Sequence, residues 1–173
     1  QSLAVDGREL CAVRHLYLML HKPQGYLSAT RDRRAPTVLD LVPPEYRRKG
    51  LFPAGRLDQD TEGLVLLTDD GQLAHRILSP RRHIPKTYFV TLDRPMTCQM
   101  AERFAAGMDL GGGEASSPAR LEISGEDPCS GRVVIYEGIY HQIKRMFQRC
   151  DAQVVNLKRL AMGGLWLDEA LEP

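Results

Sequence analysis

The chain has 173 residues, of which 43% are hydrophobic and 26% charged, and this composition predicts one globular domain with enough apolar material for a core. Its 23 basic and 22 acidic residues leave a net charge of only +1, and no apolar run approaches membrane-spanning length, which excludes a membrane partner. The four cysteines (Cys11, Cys98, Cys129 and Cys150) show no CxxC or Cys–His spacing, which argues against a zinc site and favours a reduced, cytoplasmic protein.

The N-terminal third of the chain predicts short strands separated by turns. Residues 1–14 are predicted as a short strand, a turn at Asp6-Gly7 and a connector. Residues 16–20 predict a buried strand, and Lys22-Pro23-Gln24-Gly25 supplies the turn that ends it. A polar loop then leads to residues 37–41, for which we expect one short helical turn before the proline pair that follows.

The middle of the chain predicts strands and helices in alternation. A strand is expected over residues 64–68, and Asp69-Asp70-Gly71 forms the turn after it. A helix follows over residues 72–78. The clearest strand covers residues 86–92, because this run is rich in β-branched and aromatic side chains. The spacing of apolar residues then predicts a helix over residues 97–107.

The C-terminal third predicts hairpins and one further helix. Residues 111–113 are three glycines and predict a flexible loop. Two strands of a hairpin are expected at residues 119–123 and 132–136, then a helix at 142–150 and a strand at 154–160. Because hairpin-like pairs outnumber β-α-β units, the pattern indicates an α+β fold with a mainly antiparallel mixed sheet and flanking helices.

Basic residues lie in four clusters along this nearly neutral chain. Such clusters on one face would bind a polyanion, and nucleic acid is the usual partner of that kind of face. The clusters are Arg31, Arg33 and Arg34; Arg47, Arg48 and Lys49; Arg76, Arg81, Arg82, His83 and Lys86; and Lys144, Arg145, Arg149, Lys158 and Arg159.

The segment Gly55-Arg56-Leu57-Asp58-Gln59-Asp60-Thr61-Glu62-Gly63-Leu64 concentrates three carboxylates, an arginine and two glycines just before an apolar run. Its spacing imitates the start of a calcium-binding EF-hand loop. That loop needs flanking helices and a glutamate at its twelfth position, whereas this segment leads into a predicted strand and has Asp69 there. We therefore reject the calcium-binding interpretation.

Three catalytic interpretations remain for the polar residues. Asp58 with Glu137 could form the carboxylate pair of a glycosidase, but the sequence does not fix their separation. His141 is either a catalytic base or a polar residue capping a strand-to-helix turn. The third interpretation is a carboxylate nucleophile, Asp58, acting on an extruded nucleobase stacked on Tyr88, although the pattern alone favours Tyr88 as a core residue.

Four stretches in order along the chain, from about Leu16 onward, resemble motifs of the RNA pseudouridine synthases. They belong to the branch that includes the small-ribosomal-subunit enzyme and its large-subunit relatives. Two further matches, Thr68-Asp69-Asp70-Gly71-Gln72 and Ser79-Pro80-Arg81, resemble the small-subunit enzyme more than its relatives. The four stretches are Lys22-Pro23-Gln24-Gly25-Tyr26, the acidic segment, Lys86-Thr87-Tyr88, and Glu137-Gly138-Ile139-Tyr140-His141-Gln142-Ile143-Lys144-Arg145-Met146.

The resemblance implies an isomerase that converts a specific uridine of ribosomal RNA to pseudouridine, in the small-subunit 16S RNA. The alternatives are a large-subunit 23S enzyme and a non-catalytic RNA-binding module. It also implies a pseudouridine synthase catalytic domain over residues 15–173, with a central RNA-binding cleft. Residues 1–14 would be the tail or linker of an N-terminal S4-like RNA-binding domain. We expect a cytoplasmic monomer without metal or cofactor, acting on naked RNA or on a ribosome assembly intermediate.

The resemblance also assigns roles to individual residues. Asp58 would react, Lys144 would keep it ionised, and Tyr88 would stack on the flipped uracil, with Ile143 supporting Tyr88 from behind. Ile139 departs from the family, which most often has Arg or Lys at that position. The residues expected to contact substrate or RNA are Lys22, Arg56, Arg81, Arg82, Lys86, His141, Gln142, Ile143 and Arg145.

Overall fold

The computed structural model describes residues 3–5, 8–10 and 15–173, and its framework is a mixed sheet of eight strands. Within these residues, two separate hairpins and three α-helices accompany the sheet. The strands are β1 (Leu3–Val5), β2 (Arg8–Leu10), β3 (Tyr17–Lys22), β4 (Phe52–Ala54), β5 (Glu62–Thr68), β6 (Lys86–Leu92), β7 (Asp109–Gly111), β8 (Glu114–Ala115), β9 (Arg120–Ile123), β10 (Ser130–Ile135), β11 (Val154–Met162) and β12 (Leu165–Trp166). The helices are α1 (Gly71–Leu78), α2 (Cys98–Ala106) and α3 (Gln142–Gln148).

The sheet runs in the order β3-β5-β11-β6-β10-β9, with β4 paired to β5 and β12 paired to β11. Among the described strands every pairing is antiparallel except that of β5 with β11. The predicted α+β class with a mainly antiparallel mixed sheet is confirmed. The parallel pair matters for function, because it joins the strand that follows the acidic segment to the longest strand of the sheet.

Side-chain caps fix where the first two helices begin. Asp70 accepts a hydrogen bond from the Leu73 amide at 2.9 Å, and Thr97 accepts one from the Met100 amide at 3.2 Å. Such caps satisfy amides that the first helical turn leaves free. Gly107, with φ of +76°, ends α2. The predicted helices at 72–78 and 97–107 are therefore confirmed to within a residue, and none in the described part of the chain is long and apolar enough to cross a membrane.

The main core lies between the sheet and helices α2 and α3. The rings of Phe104 and Phe147 meet at 4.7 Å between centroids, and both side chains are fully buried. On α3, Ile143, Met146 and Phe147 face this core at helical spacing. That packing fixes the orientation of α3, and the remaining side chains of the helix are therefore held at defined positions.

Several predicted elements differ from the structure. Residues 111–113 form the tip of the β7–β8 hairpin rather than a flexible loop. Residues 37–41 contain a hydrogen-bonded turn but no regular helix: the Asp40 amide donates to the Thr37 carbonyl at 3.0 Å, and the Thr37 amide donates to the Asp40 carboxylate at 2.7 Å. Strand β4, of three residues, and strand β12, of two, were not predicted, because so short a run shows no alternation of apolar and polar residues. The turn predicted at Asp6-Gly7 lies outside the described residues.

Candidate active site

A cleft of about 1380 Å³ opens where the segment between β4 and β5 faces β6, β11 and the start of α3. This volume exceeds the roughly 300–1,000 Å³ typical of small-molecule sites and fits a polymeric ligand better. The residues predicted for the site divide into two groups. Those lining the cleft are Arg56, Asp58, Lys86, Tyr88, His141, Gln142, Ile143 and Lys144, and those that do not line it are Lys22, Arg81, Arg82 and Arg145.

The acidic loop, residues 55–61, is a tight turn that begins at Gly55 and leads into β5, where Gly63 is the second residue. The Thr61 amide donates to the Asp58 carbonyl at 3.1 Å, which closes the turn. Gly55 and Gly63 have φ of +100° and +109°, a region that side chains other than glycine disfavour. A Cβ at Gly63 would also lie 2.2 Å from the Arg159 carbonyl oxygen. The close approach of β5 to β11 therefore requires glycine at position 63.

The segment that follows β3 holds the acidic loop by reciprocal hydrogen bonds. Ser28 Oγ accepts from the Leu57 amide at 2.9 Å and contacts the Leu57 carbonyl at 3.0 Å. The Gly25 amide donates to the Gln59 carbonyl at 2.8 Å, and Gln59 Nε2 donates to the Gly25 carbonyl at 3.0 Å. The first sequence motif thus supports the second.

Lys22 holds the same loop from within the protein and does not contact solvent. Its side chain is fully buried, and Nζ donates to the carbonyls of Pro23 at 3.0 Å, Gln59 at 3.2 Å and Thr61 at 2.8 Å. Burial lowers the pKa of Lys22 to about 8, against the opposing effect of the nearby Asp60 and Asp58. The prediction that Lys22 contacts RNA is therefore wrong, because all three of its donors are used inside the protein.

Asp58 and Lys144 meet across the cleft although 86 positions separate them in sequence. Lys144 Nζ lies 3.1 Å from Asp58 Oδ2 and 2.6 Å from Asp60 Oδ1. Burial would lower the pKa of Lys144, but the hydrogen bonds and charges of Asp60 and Asp58 outweigh it and raise the pKa. For the Asp60 carboxyl, burial acts in the opposite direction and would raise the pKa, but the hydrogen bond and charge of Lys144 hold this pKa below its usual value. A charged lysine therefore stands between two carboxylates.

The exposed fractions of the two carboxylates distinguish them. The Asp58 side chain is 32% exposed and that of Asp60 69%. His141 Nε2 also lies 3.5 Å from Asp58 Oδ2. Asp58 is thus the more enclosed of the two and has polar neighbours on two sides, as a reacting carboxylate requires, whereas Asp60 projects toward solvent.

His141 stands at the first position before α3, as one of its two sequence interpretations anticipated, but its ring does not cap the helix. It has φ of +50°, which is unusual for a residue other than glycine. Its ring stacks on Tyr140 with centroids 3.8 Å apart and 17° between the planes. Tyr140 is 72% exposed and lines the cleft, so the pair presents an aromatic surface beside Asp58.

The position of Tyr88 fits both roles that the sequence left open, a core residue and a stacking platform. It is only 8% exposed and belongs to the main core with Ile143, yet both residues line the cleft. On the neighbouring strand its partner in register is Arg159. A rigid aromatic side chain at the wall of a cleft suits stacking, because its position does not have to be fixed when the ligand binds.

Arg145 and Gln142 are occupied by contacts within the protein. Arg145 donates to the Glu114 carboxylate at 2.7 Å and to the carbonyls of Leu110 and Gly111, and so ties α3 to the β7–β8 hairpin. The RNA contact expected of Arg145 therefore stays a prediction, and in this structure its guanidinium binds groups of the protein. Gln142 is buried and donates to Glu137 Oε1 at 2.7 Å.

Glu137 does not act as a second catalytic carboxylate. Its two oxygens accept hydrogen bonds from the Ser117 amide at 2.7 Å, the Ser117 hydroxyl at 2.8 Å and Gln142 Nε2. A carboxylate so occupied is a structural acceptor. This contact pattern removes the partner that the glycosidase interpretation needed. In the described ranges no cluster of three or more His, Cys, Asp or Glu side chains is arranged to hold a metal ion.

Comparison with known proteins assigns this geometry to a family. The family described as RNA pseudouridylate synthase matches residues 16–149. The chain belongs to the RNA pseudouridine synthases. It is 48% identical over 175 residues to ribosomal small subunit pseudouridine synthase A of Escherichia coli strain K12, covering 99% of this chain and 74% of that protein. It is 49% identical over 177 residues to YtzG of Bacillus subtilis strain 168, an uncharacterized RNA pseudouridine synthase, covering 100% of this chain and 73% of YtzG.

Solved structures agree with this membership. A crystal structure of a pseudouridylate synthase superposes with a TM-score of 0.85 at 44% identity, covering 95% of this chain and 70% of the other. The fold also recurs, at 18% identity and a TM-score of 0.64, in an H/ACA ribonucleoprotein bound to a substrate RNA, covering 90% of this chain and 50% of that one. This pseudouridine synthase is an isomerase of the same branch as the small-subunit enzyme.

The basic residues of this pseudouridine synthase differ widely in exposure. Arg81 and Arg82 are exposed on a 3-10 turn, Pro80–Arg82, just outside the cleft. Arg56 is exposed and lines the cleft. Arg159, by contrast, is only 2% exposed and donates through Nε to the Leu64 carbonyl at 2.8 Å. The sequence shows where the charges are but not which of them face outward.

Two residues of the site were not singled out from the sequence. Asp60 was part of the acidic motif, but the residue spacing of the motif did not indicate that Asp60 shares Lys144 with Asp58. Arg159 lines the cleft floor and occupies a buried position in phase with Leu157 and Ala161. A cation in the buried phase of a strand is a signal that could have identified it, because burying an arginine is costly unless it is paired or functional.

Proposed function

We propose that this pseudouridine synthase isomerises a uridine of small-subunit ribosomal RNA, with Asp58 as the reacting carboxylate. The observation that carries the proposal is the Asp58–Lys144 contact of 3.1 Å inside a cleft large enough for a nucleotide strand. The small-subunit target is supported by the 48% identity to ribosomal small subunit pseudouridine synthase A. We propose further that residues 15–173 act as the catalytic domain, as a monomer in the cytoplasm.

The reaction breaks the N1–C1′ bond of uridine, turns the base, and joins C5 to C1′ while the C5 proton leaves and N1 gains one. No atom is gained or lost overall and no electron is transferred, so the side chains of the cleft can supply the chemistry. Asp58 acts as a carboxylate, at the base, at the sugar or on a ribose proton. Lys144 donates a hydrogen bond to the Asp58 carboxylate and directs it toward the cleft.

The nucleotide must leave its stack before Asp58 can reach it. Flipping costs a few kcal/mol, and stacking on an aromatic ring returns roughly 1–3 kcal/mol per base. Tyr88 at the cleft wall supplies that ring, and Ile143, in the same core cluster, keeps it in place. Arg56 and His141 line the same cleft and are placed to contact the RNA strand or the flipped nucleotide. We assign Arg81 and Arg82 to RNA flanking the cleft.

The competing interpretations differ in observable products. A non-catalytic RNA-binding module would bind RNA and leave every uridine unchanged, and it would have no use for a carboxylate held by Lys144 beside a cleft. A large-subunit enzyme would modify 23S rather than 16S RNA. Whether the substrate is naked RNA or an assembly intermediate is decided by offering both.

The test is to incubate the purified protein with 16S RNA, with 23S RNA and with partly assembled small subunits, and to map pseudouridine in each. We expect one new pseudouridine in small-subunit RNA, in the naked or the assembled form, and the same position unmodified in cells lacking the protein. Modification confined to 23S RNA would contradict the proposed target. No pseudouridine in any substrate would contradict the proposed activity.

A further inference from the structure

The floor of the cleft holds two cations that no carboxylate pairs with, among the described residues. Lys86 and Tyr88 lie two positions apart on β6, so their side chains share one face of the sheet. Arg159 is in register with Tyr88 on the adjacent strand and shares that face. All three residues line the cleft. Two positive charges therefore flank the ring on which we place the uracil.

The side chain of Lys86 is only loosely held within the protein. Nζ lies 3.4 Å from both the Ile84 and the Glu137 carbonyl oxygens, the outer limit of a hydrogen bond. The carboxylate whose charge acts on Lys86, that of Glu137, accepts hydrogen bonds from Ser117 and Gln142 instead. Burial first, and the charge of Arg159 second, lower the pKa of Lys86. An ammonium in this position is stabilised when an anion arrives.

Arg159 is more deeply buried than Lys86 and contributes mainly its positive charge to the site. Its Nε donates to the Leu64 carbonyl and Nη1 lies 3.5 Å from the Arg56 carbonyl, but the buried Nη2 has no partner among the described residues. A buried cation with an unsatisfied donor is costly unless something else compensates it. A Cβ on Gly55 would lie 4.0 Å from Nη2 and 3.2 Å from Leu78 Cδ2, so glycine avoids crowding beside the guanidinium.

We propose that Lys86, with the charge of Arg159 behind it, forms a phosphate subsite that binds the phosphodiester of the nucleotide whose base stacks on Tyr88. The inference rests on the proposed function. Two residues along a strand span about 6.6 Å, which is comparable to the reach from a nucleobase to the phosphate of the same nucleotide. A negatively charged phosphate fits better than a neutral uracil carbonyl, because two uncompensated cations need a counter-charge. The subsite would hold the strand while Asp58 acts on the base.

The probe is a single-stranded oligouridylate of about ten nucleotides. Every register of this strand in the cleft places a uracil on Tyr88, so the natural rRNA sequence is not needed. Binding is measured over a series of salt concentrations. For single strands each phosphate contact contributes about 0.7 to the slope of log affinity against log salt. We expect Lys86→Met to reduce that slope by about 0.7 and to weaken binding roughly three- to tenfold at low salt, and Lys86→Arg to restore both.

Two control variants separate this subsite from general charge and from stacking. Arg132→Met removes an exposed cation from the opposite sheet face, since Arg132 is in register with Phe89 rather than Tyr88. It should leave the salt slope unchanged. Tyr88→Leu should weaken binding without changing the slope. An unchanged slope in Lys86→Met overturns the inference even if the wild-type enzyme makes pseudouridine. Wild-type protein that makes none overturns the proposed function instead.

Discussion

Replacing Lys22 by methionine tests whether a buried cation holds the acidic loop. Methionine keeps most of the side-chain volume and removes the three donors. The Thr61 carbonyl lies in a buried contact and would lose its partner, at about 1–3 kcal/mol, while the Pro23 and Gln59 carbonyls are only partly buried and can turn to water. We therefore expect a loss of about 1–3 kcal/mol in the free energy of unfolding, or roughly 2–12 °C in Tm for a chain of this size.

The assay is denaturant unfolding of both proteins, with Lys49→Met as the matched control. Lys49 is exposed, and the same substitution there should change stability by less than about 0.5 kcal/mol. Turnover of RNA by Lys22→Met should fall as well, because the loop that carries Asp58 loses its support. A variant as stable and as active as the Lys49→Met control would refute the role given to Lys22.

The pH dependence of the same comparison has a defined sign. The pKa of Lys22 is about 8 in the folded chain, below its ordinary 10.5. Between pH 8 and 10.5, Lys22 is protonated in the unfolded chain but has lost its proton in the folded chain. Over this range Lys22 therefore makes the free energy of unfolding rise with pH. Its burial cost is fully present below pH 8. The stability difference between wild type and Lys22→Met should therefore widen from about pH 8 to 10.5, and a constant difference would contradict the assignment.

Two further substitutions test the loop and the base platform. Gly63→Ala should destabilise the fold by about 2–5 kcal/mol, because the new Cβ would lie 2.2 Å from the Arg159 carbonyl oxygen in addition to the backbone strain. Gly112→Ala, at a φ of +67° in open space, should cost only about 1–2 kcal/mol in the same denaturant unfolding assay. Tyr88→Phe should retain most RNA affinity and Tyr88→Leu should lose about 1–3 kcal/mol of it, measured by equilibrium binding; equal losses would mean that the hydroxyl, not the ring, matters.

Local patterns in the sequence were enough to predict the long elements. Strand β6 was predicted at its full extent because β-branched and aromatic residues fill it, and α2 because its apolar residues recur at helical spacing between Thr97 and Gly107. The strand β4 and the β7–β8 hairpin escaped prediction because they are defined by their partners rather than by their own residues.

The site was predictable only in part, for a physical reason. The meeting of Asp58 and Lys144 joins segments 86 positions apart, so spacing could not reveal it, and the family resemblance supplied it. Charge in the sequence also does not tell whether a side chain faces solvent. Lys22 and Arg145 resemble RNA contacts by type, yet both bind carbonyl groups of the protein. Arg159 is the reverse case, a strand residue whose importance appears only once its burial is known.

The central claim is that Asp58, rather than its neighbour Asp60, carries out the reaction. Both carboxylates contact Lys144, so Asp60→Asn is a matched control for Asp58→Asn. Forming the C5–C1′ bond releases the C5 hydrogen, and tritium freed from RNA labelled at C5 of uridine therefore measures turnover. We predict that Asp58→Asn folds, binds RNA and releases no tritium, while Asp60→Asn still turns over. Tritium release by Asp58→Asn at the wild-type rate would contradict the account.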